Sequence, residues 1–302
     1  MTNAHRPVHP AGPQLSELVA GTMTWGEWGA DYNTSQQAEL IAHCLDLGIT
    51  TFDHADIYGN YSAETGFGAA LAALAPDRSQ LQLVTKCGIQ LLTNRRPATV
   101  VKHYDSSYEH ILASVDRSLE NLRTDYLDLL LLHRPDPLMD ATEVARAFDQ
   151  LRTSGRVRHF GVSNFTPAQF DLLHAHTPLV TNQVECHPLH PAPLFDGTYD
   201  QAQRLSFRPM VWSPLGGKDY FHGEGTHFLR LRDQVQTIAR RYDTEEDVVL
   251  LAWCRQHPTT PLPVLGTTKE ERLRRATKSL ALTLDRQEWF QILEAARGHE
   301  VA

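Results

Sequence analysis

The chain has no run of about 18 apolar residues, the length a bilayer-spanning helix requires. Its first residues, MTNAHRPVHPAGPQ, lack the apolar stretch of a secretion signal. Neither a membrane partner nor an exported protein is therefore expected. Cysteine is scarce: Cys44, Cys87, Cys186 and Cys254 stand far apart and form no CxxC pair. That argues against a disulfide framework and makes a reducing cytoplasm the expected compartment. Positive charge is also in short supply, with 28 Lys and Arg against 36 Asp and Glu, a net charge of −8. Without a basic cluster the chain has no face for a nucleic-acid backbone. No Gly-x-Gly-x-x-Gly follows the first apolar segment, which weakens a doubly wound dinucleotide-binding reading. There is no linker and no repeat of fixed period, so residues 1–302 read as one domain, with the Pro- and His-rich residues 1–14 as an N-terminal arm. Nothing in the sequence fixes an oligomeric state.

What is present is an alternation. Short apolar runs at 18–23, 49–52, 81–87, 126–133, 157–165, 179–185, 209–215 and 261–266 are separated by stretches of helical periodicity. One such helix begins at residue 34, capped by Thr34 or Ser35, with Ala38, Ile41, Ala42 and Leu45 on one face and Gly48 ending it. Others span 63–74, 106–122, 142–154, 166–174 with Pro167 in its first turn, 196–204, 228–242, 244–256, 269–280 and 285–296. Continuous apolar strands between helices mean a parallel sheet covered on both faces. Eight strand–helix units in 302 residues fit a (β/α)8 barrel with extra C-terminal helices better than an open sheet. Two loops are long, 88–105 and 216–227, and both follow strands, where they would wall the C-terminal face.

In such a barrel the chemistry sits at the strands' C-terminal ends. Those ends carry Asp53 with Tyr58, then Lys86, His133, Ser163-Asn164, Gln183, Trp212-Ser213 and Gly266-Thr267-Thr268. Blander roles compete: Ser163 as a helix cap, His133 as a turn former before Arg134-Pro135. Lys86 is harder to set aside, because a lysine ending an apolar strand is costly to bury unless a carboxylate such as Asp53 pairs with it. A phenol is a weak acid at neutral pH, and an adjacent ammonium would lower its pKa. Asp53, Tyr58, Lys86 and His133 together fit carbonyl reduction. Tyr58 would give a proton to the oxygen, and His133 would hydrogen-bond that same oxygen. The stretch ECHPLHP, with Cys186, His187 and His190, lacks a suitably spaced fourth ligand, so no metal is expected.

The segments GTMTWG, TTFDHADIYG, VTK, LRTDYLDLLLLHRPD, GRVRHFGVSNF, TNQVE, WSPLGG and LGTTKEERL occur in this order along nearly the whole chain. On them the chain resembles the aldo-keto reductases, and within these a bacterial branch of YdhF-type oxidoreductases. The resemblance implies a (β/α)8 barrel, NADPH bound across its C-terminal mouth, and a catalytic tetrad at Asp53, Tyr58, Lys86 and His133. It implies nicotinamide contacts from Ser163, Asn164 and Gln183, with Trp212 where the family more often has Tyr or Phe. Gly21, Thr22 and Met23 join the cofactor set. Ser213, Pro214, Leu215 and Gly217 match the pyrophosphate loop, and Gly266, Thr267, Thr268, Lys269 and Arg272 match the segment that holds the adenosine 2′-phosphate. Gly266-Thr267 replaces the family's usual Lys-Ser pair, but Arg272 with Lys269 favours NADP(H) over NAD(H). The bland alternative for these two is an exposed charged helix face. Trp25 is a candidate substrate wall or, alternatively, rim packing. The expected activity is reduction of a small aldehyde or ketone. Two alternatives are a nucleotide-binding regulatory subunit on the same fold, as in potassium-channel β-subunits, and a Schiff-base lyase with Lys86 as nucleophile.

Overall fold

In the computed structural model, which describes residues 5–302, eight parallel strands close into a barrel. They are β1 (Val19–Gly21), β2 (Thr51–Asp53), β3 (Gln82–Cys87), β4 (Leu127–Leu132), β5 (Val157–Ser163), β6 (Asn182–Glu185), β7 (Met210–Trp212) and β8 (Leu262–Leu265). Each pairs with the next in sequence, and β8 returns to β1 through Val264 opposite Val19 and Leu265 opposite Ala20. The strands are largely apolar because both faces are covered. Val19, Val84, Leu129, Leu131, Met210 and Leu262 meet inside the barrel. Their chain neighbours Ala20, Leu83, Leu130 and Leu132 face the helix layer. This two-residue period also decides which side chains reach the mouth.

The first helix, Thr34–Asp46, is capped one residue earlier than expected. Asn33 and Gln36 form a reciprocal capping box, and the buried face is Gln37, Leu40, Ile41 and Cys44. Gly48, with φ 71°, ends the helix in the left-handed conformation as expected. Pro167 opens the helix Pro167–His174 behind a Thr166–Gln169 capping box. At the C-terminus, Arg286–Arg297 lies along Thr226–Arg241. It is locked by Trp289 stacked on Trp253 at 4.9 Å, each indole donating to the other's carbonyl at 3.0 Å. The described residues contain no helix long and apolar enough to cross a membrane, and the four cysteines are free and buried.

Residues 5–14 are not an arm. His5–Pro7 pairs antiparallel with Gln14–Ser16, and Val8 and Leu15 are fully buried against the inner barrel residues. The hairpin is the barrel's floor. Glu17 fastens it, gripped by Arg6, Arg208 and Arg255 at 2.7, 2.9 and 3.0 Å. Strands of three residues are too short to show an alternation, which is why this hairpin is invisible in the sequence. Residues 1–4 of the expected arm lie outside the described residues. The two long loops also hold structure. Ile89–Gln90 pairs with His103–Tyr104, and Gly217–His222 is a short helix.

Candidate active site

The barrel's period of two builds the centre of the site. Asp53 follows Thr51 by two on β2, Lys86 follows Val84 by two on β3, and His133 follows Leu131 by two at the end of β4. In the register Asp53 faces Val84, and Lys86 faces Leu131. All three side chains therefore point inward at the top. Lys86 is only 1% exposed. Its Nζ donates to Asp53 Oδ2 at 2.6 Å, to the His54 carbonyl at 2.8 Å and to the Tyr58 hydroxyl at 3.2 Å, which uses all three of its protons. The other oxygen of Asp53 accepts from Gln183 Nε2, 2.8 Å away on β6. Tyr58 opens a one-turn segment, Tyr58–Tyr61, in which Gly59 and Asn60 take φ of 56° and 52°. A left-handed asparagine costs free energy and persists only where its surroundings impose it. Here the Asn60 side chain donates to Glu27 Oε1 at 2.7 Å, and the turn is anchored ahead of it by Asp56, whose N–H donates to the Lys86 carbonyl at 3.0 Å and whose carboxylate accepts from Ser114 Oγ at 2.7 Å.

Electrostatics complete the arrangement. Burial pulls the Lys86 pKa down, but Asp53 and Tyr58 outweigh it, so the ammonium is held above its ordinary value. Burial raises the Tyr58 pKa by more than Lys86 lowers it, and Asp53 adds to the rise. The expected pull of the ammonium is present, but desolvation wins, so Tyr58 is a protonated donor rather than a tyrosinate. His133 is driven well below its ordinary value by burial first, then by Lys86, Arg134 and Lys102. It is a neutral imidazole whose ring lies 6.0 Å from that of Tyr58, nearly perpendicular to it. Its Nδ1 is buried without a hydrogen-bond partner among the described residues. Two neutral polar groups thus face one cavity with an ammonium behind them.

That cavity holds about 880 Å³. Gly21 and Met23 line it beside Asp53, Tyr58 and His133, whereas Thr22 turns away to bond the Asp53 carbonyl and His54 Nδ1. One wall is a hydrogen-bonded chain: Trp212 Nε1 donates to Asn164 Oδ1 at 3.0 Å, Asn164 Nδ2 to Ser163 Oγ at 2.8 Å, and Ser163 Oγ to the Gln183 carbonyl at 2.9 Å. Asn164 and Ser213, both with φ above 50°, end their strands in the left-handed region. Ser213, Pro214, Leu215 and Gly217 continue the wall, and Gly266, Thr267 and Arg272 form its far end. Thr268 and Lys269 do not line it. The Thr268 carbonyl accepts from the Tyr32 hydroxyl at 3.5 Å, and Lys269 begins the helix Glu270–Thr277 with its N–H on Thr267 Oγ1.

Trp25 is a correction. It is only 2% exposed and packs against Phe52 and Phe67 in the core outside the barrel. From the same loop it is Trp28 that lines the cavity, its ring 6.1 Å from that of Tyr58. Both stand in one glycine-rich loop, and no periodicity there separates the inward ring from the outward one. His187 Nε2 lies 3.1 Å from Glu185 Oε1, and His187 and His190 pair through their backbones, so ECHPLHP forms a turn. Among the described residues no three His, Cys, Asp or Glu side chains converge as metal ligands. The sequence reading missed four features: the bond from Gln183 to Asp53, Arg134 and Lys102 in the cavity, and the ion pair of Arg275 with Asp247 at its far end. Arg134 follows His133 directly, so the strand-end rule could have found it. The others depend on contacts between remote segments.

A parallel barrel with a lysine–aspartate–tyrosine cluster at its C-terminal mouth is the framework of an oxidoreductase acting on carbonyl groups. Residues 17–297 match the Aldo/keto reductase family model, and the chain belongs to that family. It is 47% identical to the oxidoreductase YdhF of Escherichia coli over 97% of this chain and 98% of that protein. It is 42% identical to a 6-dehydroglucose reductase of Agrobacterium fabrum, covering 96% and 97% of the two chains. The structure of a glycerol dehydrogenase from Gluconobacter oxydans shares the fold with a TM-score of 0.83 at 22% identity, over 98% of this chain and 96% of that one.

Proposed function

We propose that the protein reduces an aldehyde or ketone to an alcohol with NADPH, and that Tyr58 is the general acid. The observation that carries this reading is the Lys86 ammonium, fixed between the Asp53 carboxylate at 2.6 Å and the Tyr58 hydroxyl at 3.2 Å. When bound, the nicotinamide supplies the hydride to the carbonyl carbon. Tyr58 gives its proton to the carbonyl oxygen, and Lys86 stabilises the charge left on the phenol. Asp53 and Gln183 hold Lys86 in place. His133, neutral and open to the cavity, hydrogen-bonds the same oxygen and fixes the side from which it is approached. Lys86 is a poor candidate for Schiff-base chemistry, because its three protons are all engaged and its pKa is raised.

The cavity suits a dinucleotide. Its lining includes the aromatic Trp212, residues of the turn Ser213–Gly217, and the basic Arg272 and Arg275. Asn164 and Ser163 are the carboxamide partners. Gln183 contributes through its bond to Asp53, which already engages its amide nitrogen. Backbone N–H groups of the 213–217 turn are suited to phosphate oxygens. Arg272, exposed and without an ion pair among the described residues, is the 2′-phosphate partner that favours NADPH over NADH. Four buried free thiols agree with a reducing cytoplasm as its compartment. The test is NADPH oxidation against a panel of aldehydes, ketones and quinones, repeated with NADH. The name of the Agrobacterium relative adds a sugar aldehyde to that panel. Turnover of at least one carbonyl, faster with NADPH, is expected. No turnover of any member, in a protein that binds NADPH, would overturn the reading.

A further inference from the structure

The charges inside the cavity are unevenly matched. Its wall contains two carboxylates, Asp53 and Asp247, and each is consumed by an ion pair: Asp53 with Lys86 and Asp247 with Arg275, both at 2.6 Å. Three cations in the wall, Lys102, Arg134 and Arg272, have no ion pair among the described residues. Arg272 stands at the far end with the segment 266–276 already assigned to the cofactor. The other two stand at the reacting end. Arg134 is half-buried, lies 5.7 Å over the Trp212 ring, and acts electrostatically on both Tyr58 and His133. Lys102, on the hairpin beside His103, acts on His133 as well. Around them the wall is apolar or aromatic: Trp28, Ile57, Ile89, Leu91 and Tyr104.

A half-buried guanidinium without a counterion is disfavoured, and Lys86 and the exposed Lys102, which act on the same His133, add positive field to that end of the cavity. The chain has 36 acidic residues and a net charge of −8, yet the only carboxylates in the cavity wall, Asp53 and Asp247, are already paired with other cations. We infer that the substrate is a carbonyl compound bearing an anionic group, a carboxylate or a phosphate, which Arg134 binds with Lys102 as the second cation. The inference rests on the reductase reading and narrows it. A guanidinium meets either anion through two parallel N–H groups, whereas Lys102 adds a point charge from a movable stem. The apolar wall accepts the body of the molecule while Tyr58 and His133 take its carbonyl oxygen.

The test compares matched probes: 4-carboxybenzaldehyde against 4-methylbenzaldehyde, and glyceraldehyde 3-phosphate against glyceraldehyde, each with NADPH. The two pairs separate a carboxylate from a phosphate preference. In at least one pair the anionic member should have a kcat/KM about tenfold or more above its neutral counterpart. Arg134→Gln should cut that ratio about tenfold, mainly through KM, Lys102→Gln about threefold, and Arg134→Lys should restore part of it. A wild-type ratio near one in both pairs overturns the inference, as does a ratio untouched by Arg134→Gln. Weakened NADPH binding in Arg134→Gln with an unchanged ratio reassigns the cation to the cofactor and overturns it too. If no probe is turned over, calorimetry of the protein–NADP+ complex with 4-carboxybenzyl alcohol and 4-methylbenzyl alcohol still decides. Preference for the acid, lost in Arg134→Gln, supports the anion site while removing the reductase reading. Equal binding of the two removes the anion site.

Discussion

Tyr58 bears the proposed proton transfer, and its surroundings dictate how it should respond to change. Tyr58→Phe keeps the ring and removes only the hydroxyl. NADPH affinity, read by fluorescence titration, should stay near wild type while kcat falls by about 10²–10⁴-fold. Full activity in this variant would remove the acid assignment. The raised pKa of Tyr58 also sets a direction in pH. Reduction needs the protonated phenol, so its rate should hold across neutral pH and fall only on the alkaline side. Oxidation of the alcohol needs the phenolate, so its rate should climb as pH rises through that same range. Parallel pH profiles for the two directions would contradict a single group serving both. Lys86 owes its charge to Asp53, so Asp53→Asn strands a buried ammonium. Urea unfolding should show a loss of about 3–5 kcal/mol along with the loss of activity.

At the scale of elements, the barrel was legible because its strands are buried on both faces and therefore mostly apolar, and they alternate with helices. Once that was read, the polar residues at the C-terminal ends of the strands included Asp53, Lys86 and His133, and the two-residue period behind Thr51, Val84 and Leu131 is why they meet inside the mouth. Tyr58 was legible from its place in the turn after β2. The left-handed φ that shapes that turn suits Gly59 and Asn60 but is not fixed by them alone, since the turn is held by contacts with remote segments, Asn60 with Glu27 and Asp56 with Ser114. Trp25 and Trp28 were indistinguishable in sequence because both stand in a loop with no period. The floor hairpin was missed because each strand has three residues. The first helix shows how packing chooses among caps: Thr34 also has a glutamine three residues on, but Gln37 is buried with its amide on the Tyr32 carbonyl, so the reciprocal pair forms between Asn33 and Gln36. Asn33→Ala should therefore lower stability by about 1 kcal/mol in chemical denaturation. Thr34→Ala should leave it near wild type, and the reverse ranking would refute the assignment.

Across the whole molecule, buried carboxylates tie stability to pH in opposite directions. Burial alone would raise the Glu17 pKa, but Arg6, Arg208 and Arg255 overcome it and hold it near about 2, below its ordinary 4.5. Its contribution is therefore complete above about 4.5 and is lost as pH falls toward 2. Glu64, between Thr85 and Ser118, is pushed up to about 7 by burial. Its neutral form stabilises the fold below 4.5, and that contribution fades as pH rises through about 7. Glu64→Gln should flatten the decline in Tm between these limits while leaving the acid limb unchanged. Glu17→Gln should cost about 3–5 kcal/mol and remove much of the acid limb. The hairpin that Glu17 fastens has a kinetic consequence as well. With Val8 and Leu15 packed under the inner strand residues, the barrel interior is solid below the cavity, so anything bound there enters and leaves by the C-terminal mouth alone. Under the proposed reaction a cofactor and a carbonyl compound would share that mouth, and the one seated deeper should bind first and leave last.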